Sequence, residues 1–285
     1  PTHSAFYDQL AREEGEFAIA EFPTGRRQEK FYLYYQTIHG KPITGGVVSR
    51  MPTQAYAFVE ANPVLRALHW NVPSAQATDV EAAFSALAGE GIRYVIVHRG
   101  LMDAGQLQNW HSWVGYFPEP VYKDEGIFAY STTLITPTDT SGAGSLRDVD
   151  VLLGTQMHLD SYTISSSRAQ AGDVVYVTLF WTAESPIDQD YHVFVHLLDG
   201  SGELVSQHDG VPVYGSQPTY AWTPLEQVAD QHSIFIDGAL PPGSYSLSVG
   251  VYDYATMARL KAIGADGTEW PDGSISLQQV EVIGP

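Results

Sequence analysis

The sequence predicts an α+β protein of two modules: a small α/β layered domain over residues 1–135, then an antiparallel β-sandwich over 148–285. Three observations predict it. Apolar residues recur at helical and strand spacing in alternation before residue 135, and almost wholly at period two after 148. The stretch between, TPTDTSGAGS (136–145), has no large apolar residue and reads as the core of a linker over 136–147. Charge divides at the same place: residues 1–146 hold 10 Lys/Arg against 15 Asp/Glu, and 147–285 hold 4 against 18.

Taken in order, SAFYDQLAREEG is a short amphipathic helix with Phe6, Leu10 and Ala11 on its buried side, and EFAIAEF follows as a strand. TDVEAAFSALAGEG is a helix capped by Thr78 with Glu81 three residues on; Val80, Phe84 and Leu87 form its apolar stripe and Gly91 closes it. IRYVIVHR (92–99) is β-branched enough for a buried parallel strand. A helix over 103–114 and a hairpin turning at Asp124–Gly126 complete the first module.

In the second module, Val175, Val177, Leu179 and Trp181 fall on one strand face, and Trp181 belongs in the core. Tyr245, Leu247, Val249 and Val251 alternate with small residues on another strand. HSIFID and SISLQQVEV add to a set of seven to nine short strands separated by Gly/Pro/Asp turns, a sandwich of immunoglobulin or jelly-roll kind.

Composition narrows function. A net charge of −19 with 14 Lys/Arg argues against a nucleic-acid partner. With no cysteine, neither disulfides nor thiolate metal sites are available. No apolar run reaches the ~20 residues needed to span a bilayer, so this piece is expected to be soluble. The opening PTHSAF lacks both Met and a signal segment, as expected of a fragment of a longer chain.

DYHVFVHLLDGSGELVSQHDG (190–210) gathers three histidines and three aspartates. It reads as a hairpin, Tyr191–Leu198 and Glu203–His208 around DGSG. His192 and His196 share a face, but four strand residues span roughly 13 Å, too far to converge on one transition ion. The expectation is therefore surface histidines held by hydrogen bonds, and no metal. Asp190, Asp199 and Asp209 sit at strand ends, where carboxylates cap turns; calcium is the ion they would suit if any cofactor is bound.

Two binding surfaces are candidates. Trp222 with Tyr214 and Tyr220, beside Asp209 and Gln217, would make an aromatic platform for a sugar; the competing reading is a loop folded over the sheet with Trp222 as its plug. Arg26, His39, Lys41 and Arg50, around the loop HGKPITGG, would meet an anion such as a lipid-linked phosphate. The competing reading pairs these cations with Glu13, Glu14, Glu16, Glu21 and Glu29. Tyr32, Tyr34 and Tyr35 would pack that segment on the sheet. There is no G-x-S-x-G elbow and no local Ser/His/Asp order, so nucleophilic catalysis has little support.

Several segments together resemble the extracytoplasmic C-terminal region of bacterial multi-pass membrane glycosyltransferases, the protein-mannosyltransferase-like group of the C-type fold. In the first module these are EFAIAEFPTG, FYLYYQTIHGKPITGGVVSR and GIRYVIVHR; in the second, the 190–210 hairpin, PVYGSQPTYAWTP and GSYSLSVGVYDYATMARL. The resemblance implies a parent enzyme that transfers a sugar from a polyprenyl-phosphate carrier, with its catalytic carboxylate between membrane helices. It implies that this piece is a non-catalytic tail on the outer face of the membrane, partnered by its own membrane domain and by a glycan or polyprenyl-linked sugar. The family's catalytic aspartate maps onto no position here. A free-standing carbohydrate-binding or adhesion protein is the alternative.

Overall fold

The computed structural model describes residues 3–45, 53–70, 80–114, 117–133, 145–270 and 272–284. The chain divides into two compact units, Pro1–Trp113 with Phe117–Leu134, and Val114–Tyr116 with Ile135–Pro285. It is an α+β protein with a β-sandwich-like region. No helix among the described residues is long and apolar enough to cross a membrane.

The first unit holds helices α1 (Ala5–Arg12), α2 (Arg26–His39), α3 (Thr53–Ala61), α4 (Pro63–Trp70), α5 (Val80–Gly89) and α6 (Ala104–Val114). Its sheet is built from β1 (Ala18–Phe22), β2 (Ile92–His98), β3 (Tyr122–Lys123) and β4 (Ile127–Ser131), in the order β1-β2-β4-β3. β1 and β2 run parallel, while β4 is antiparallel to both β2 and β3. Ile19, Ile96, Ile127 and Ala129 on one sheet face pack with Phe6, Tyr7 and Leu10 of α1 and Tyr32 and Tyr35 of α2. Phe84, Trp110, Phe117 and Tyr130 form a separate chain of edge-on aromatic contacts.

One point differs from expectation, and two features were not anticipated. Ala11 is exposed, and Tyr7 takes its place on the buried side of α1. FYLYYQTIH is helical: Tyr32, Tyr35 and His39, spaced three and four apart, lie on one face, and Gly40 at φ +70° stops the helix, a conformation that a residue without a Cβ adopts with little strain. The run of aromatics there suits a strand by propensity, but burial of one stripe against α1 and the sheet decides for the helix. α3 and α4 were not expected at all. Thr78, Arg50 and residues 136–144 of the expected linker lie outside the described residues.

The second unit has eight strands of seven or more residues: β5 (Arg147–Leu153), β6 (Met157–Ile164), β8 (Val174–Ala183), β9 (Tyr191–Leu198), β10 (Leu204–Gly210), β11 (Gln227–Phe235), β12 (Gly243–Asp253) and β15 (Ile275–Ile283). Three short ones, β7 (Arg168–Gln170), β13 (Ala262–Gly264) and β14 (Glu269–Trp270), finish the edges. They form two sheets, β10-β9-β12-β15-β7 and β11-β8-β6-β5-β13-β14. All pairings are antiparallel except β15 with β7. One core lies between the sheets, with Val175, Val177, Leu179 and Trp181 from one side and Val193, Val195, Leu247, Val249 and Val251 from the other. The period-two pattern produces it directly, because alternate residues of each strand face inward.

Candidate functional site

The 190–210 stretch is the β9–β10 hairpin, and strand parity sorts its histidines. His192, Phe194 and His196 lie on the outer face, with Asp209 on the same face across from Phe194. His208 pairs with Val195 and points into the sandwich. There it is buried, and its Nδ1 lies 3.0 Å from Nδ1 of His232 on β11, so one of the two carries the shared proton. His232 Nε2 donates to Asp230 Oδ2 at 2.7 Å, and Asp230 Oδ1 accepts the Val213 N–H at 2.7 Å. The expectation of surface histidines thus holds for His192 and His196 and fails for His208. Burial and the neighbouring His232 hold the His208 imidazole well below its usual pKa.

On the outer face a row of rings forms. His192 stacks on Tyr254 (4.5 Å between centroids, 21° apart), Phe194 lies 4.5 Å from His196, and the Arg259 guanidinium sits 4.4 Å over Phe194. Gly250 on β12 permits this, because a Cβ there would fall 2.3 Å from the Phe194 ring. His196 Nε2 meets Asp209 Oδ1 at 3.2 Å. Burial lowers the pKa of His192, while Asp190 and Asp209 act the other way. Tyr254 remains 63% exposed in the turn after β12. Tyr254 and Arg259 were missed as site residues, since nothing in YDYATMAR marks them until β12 is paired with β9. Asp199 acts locally, its Oδ1 accepting the N–H groups of Ser201 and Glu203 and closing the hairpin turn. Among the described residues no group of three or more His, Asp or Glu is placed to hold a metal ion.

Of the two readings of 212–224, the aromatic platform does not form around Trp222. That side chain is 5% exposed, packs 6.4 Å from Trp181 and donates Nε1–H to Gln217 O at 3.0 Å. It is the plug. Thr219 fastens the loop, accepting Tyr191 N–H and donating to Gln189 O. Tyr214 donates its hydroxyl to Gln231 Oε1, while Tyr220 (60% exposed) and the side chain of Gln217 stay outside. Asp209 lies on β10 with His196, apart from that plug.

In the first unit, Glu21 is 4% exposed at the carboxyl end of β1, and His98 is buried at the carboxyl end of the parallel β2. Open α/β sheets place ligands at this end. Tyr7 from α1 donates its hydroxyl to Glu21 Oε1 at 2.7 Å and lies 3.0 Å from His98 Nε2. With its own proton given to the carboxylate, the phenol oxygen accepts from His98 Nε2–H. Burial, then Glu21, push the Tyr7 and Tyr32 phenols far above their usual pKa. Glu21 Oε2 and His39 Nε2 are buried with no partner among the described residues. Beside Glu21 lies a cavity of about 30 Å³, lined among others by Thr24, Glu29, Tyr32, Ile43 and His69.

Of the four residues that could face an anion, Lys41 and His39 have other partners. Lys41 Nζ donates to Glu13 O (2.5 Å) and Gly15 O (3.2 Å), backbone carbonyls rather than carboxylates. His39 Nδ1 accepts the Lys41 N–H at 3.0 Å, and burial lowers its pKa. The loop's Thr44 N–H goes to Ile19 O, beside β1. Glu13 is paired instead by Arg93 at 2.6 Å. Arg26 opens α2, and Arg50 lies outside the described residues. Glu21, in an otherwise apolar strand ending EFP, was the sequence signal for this site: a carboxylate in a strand buried on both faces needs a dedicated partner.

No protein-family model matches the chain, and no curated protein matches it. Among solved structures, the C-terminal domain of Wzt is similar over 53% of this chain and 87% of that one, with 10% identity and a TM-score of 0.33. A Niemann-Pick type C2 protein from the Japanese carpenter ant covers 50% of this chain and 96% of its own, at 8% identity and 0.27. A CARDB domain from Pyrococcus furiosus, in complex with di-metal ions, covers 50% and 97%, at 11% identity and 0.26. Likenesses at this level assign the chain to no family.

Proposed function

We propose that this protein is a non-catalytic glycan-recognition region, borne on the extracytoplasmic side of a membrane glycosyltransferase that uses a polyprenyl-phosphate sugar donor. The observation that carries the recognition part is the outer face of β9, β10 and β12. Tyr254 offers an exposed ring whose other face rests on His192, and Asp209–His196, Asp190 and Arg259 flank it. Sugars are bound by such a pairing of flat aromatic surface for their C–H faces with charged or amide groups for their hydroxyls. The parent assignment is supported by the segment resemblance alone. Without that parent, the same face serves a free-standing carbohydrate-binding or adhesion protein.

Calorimetry of the full chain against mannose-, glucose- and galactose-terminated oligosaccharides tests the recognition. Saturable binding to at least one, lost in Tyr254→Ala, is expected. Binding that survives Tyr254→Ala, or no binding across the panel, overturns it. The reading frame upstream of Pro1 tests the parent: several apolar segments of ~20 residues are expected there. The chain by itself is expected to transfer no sugar from a polyprenyl-phosphate donor, and turnover in that assay would refute the non-catalytic assignment.

A further inference from the structure

The α/β unit contains a site that the glycan reading does not use and does not depend on. We propose that the cavity beside Glu21 binds a primary ammonium group, which donates to Glu21 Oε2. Glu21 is buried, and only its Oε1 is satisfied, by Tyr7. Oε2 has no partner among the described residues, yet its residue lines the cavity. A buried carboxylate oxygen left in this state is costly unless a donor meets it.

The lining decides the donor's charge. Glu29 adds a second carboxylate, Thr24 Oγ1 and His69 Nδ1 bond each other at 2.7 Å, and there is no lysine or arginine among the described lining residues. The site therefore favours a cation. The volume decides its size. The free space of about 30 Å³ exceeds the roughly 10–15 Å³ that one water needs, so it admits an –NH₃⁺ head. Tyr32 and Ile43 supply an apolar wall for the carbon that carries it. A bare divalent metal fits less well, since no group of three acidic or imidazole ligands gathers among the described residues.

The experiment is an NMR titration of the full chain with methylammonium chloride, with tetramethylammonium chloride and ethylene glycol as controls at constant ionic strength. Methylammonium is expected to shift the amides of Phe22, Thr24, Thr44 and Gly45 saturably. Tetramethylammonium has the charge without N–H donors, and ethylene glycol has donors without the charge; neither should saturate. Glu21→Gln keeps an acceptor for Tyr7 and removes the charge, so affinity should fall about tenfold or more, the worth of a charge-assisted hydrogen bond. Equal affinity in Glu21→Gln, or methylammonium no better than either control, overturns the proposal. If Glu21→Gln does not fold, Glu29→Gln decides: methylammonium affinity should weaken there, and an unchanged value overturns the proposal.

Discussion

In the sandwich, Asp230 and His232 are buried with both carboxylate oxygens and the imidazole engaged, and His208 closes the network from the opposite sheet. In the α/β unit, Glu21 and His39 are buried almost as deeply, yet each has one polar atom without a partner among the described residues. The residue types are alike, and so is the desolvation cost. What differs is the use. A saturated network commits its polar groups to holding two sheets in one register, whereas an unsaturated one keeps an acceptor in reserve beside a cavity. Buried charge alone therefore does not mark a binding site; at Glu21 it is the leftover oxygen together with the adjoining cavity that does.

Substitutions in both units probe this contrast. The largest effect is expected from Trp222→Ala, which should cost about 3–5 kcal/mol as a cavity opens against Trp181. Denaturant unfolding would show it, and glycan binding on the outer face should persist in the folded fraction. Asp230→Asn should cost about 1.5–3 kcal/mol, because a charge-assisted bond to His232 is lost inside the sandwich; an unchanged midpoint would mean that the network is not saturated after all.

Tyr7→Phe removes the hydroxyl that donates to Glu21 Oε1 and should cost about 1–3 kcal/mol, the penalty for an unsatisfied buried acceptor. Were it neutral, Glu21 would already be solvated and the contrast with Asp230 would vanish. Acid gives a fourth test. Burial depresses the His208 pKa, so the unfolded chain, titrating near 6.5, binds the extra proton. Stability from this group is complete above that pH and falls below it by up to ~1.4 kcal/mol per pH unit, until the folded-state pKa is reached. His208→Gln should flatten that slope in unfolding curves between pH 7 and 5. The smallest effect is Tyr254→Ala, within about 0.5 kcal/mol of the parent stability because the ring is exposed, while abolishing oligosaccharide binding.

Much of the sandwich was legible, and the reason is local. Alternation in VVYVTLFWTA and SYSLSVGVYD sets which side chains face inward without reference to any other strand. The inward side of His208 was not read from the sequence, and its partner His232 lies on a different strand that no spacing rule connects to it. In the α/β unit the helix over 26–39 was harder, because Tyr32, Tyr34 and Tyr35 favour extended backbone and only docking against α1 and the sheet selects the helix. Tyr254 and Arg259 were visible as residues but not as a site. Their meaning comes from the pairing of β12 with β9, a contact between segments about sixty residues apart.

Residue order was enough to set two modules, their succession, the inward residues of the long strands, and the absence of thiol chemistry, since these depend on composition and on periods of two and 3.6 residues. Three-dimensional packing was needed to put Trp222 in the core, to give Lys41 to carbonyls, and to bring Glu21 to Tyr7 while keeping an oxygen for the cavity. The physical reason is that burial and polar pairing are properties of the space between elements. Residues distant along the chain create that space, and no local pattern measures it.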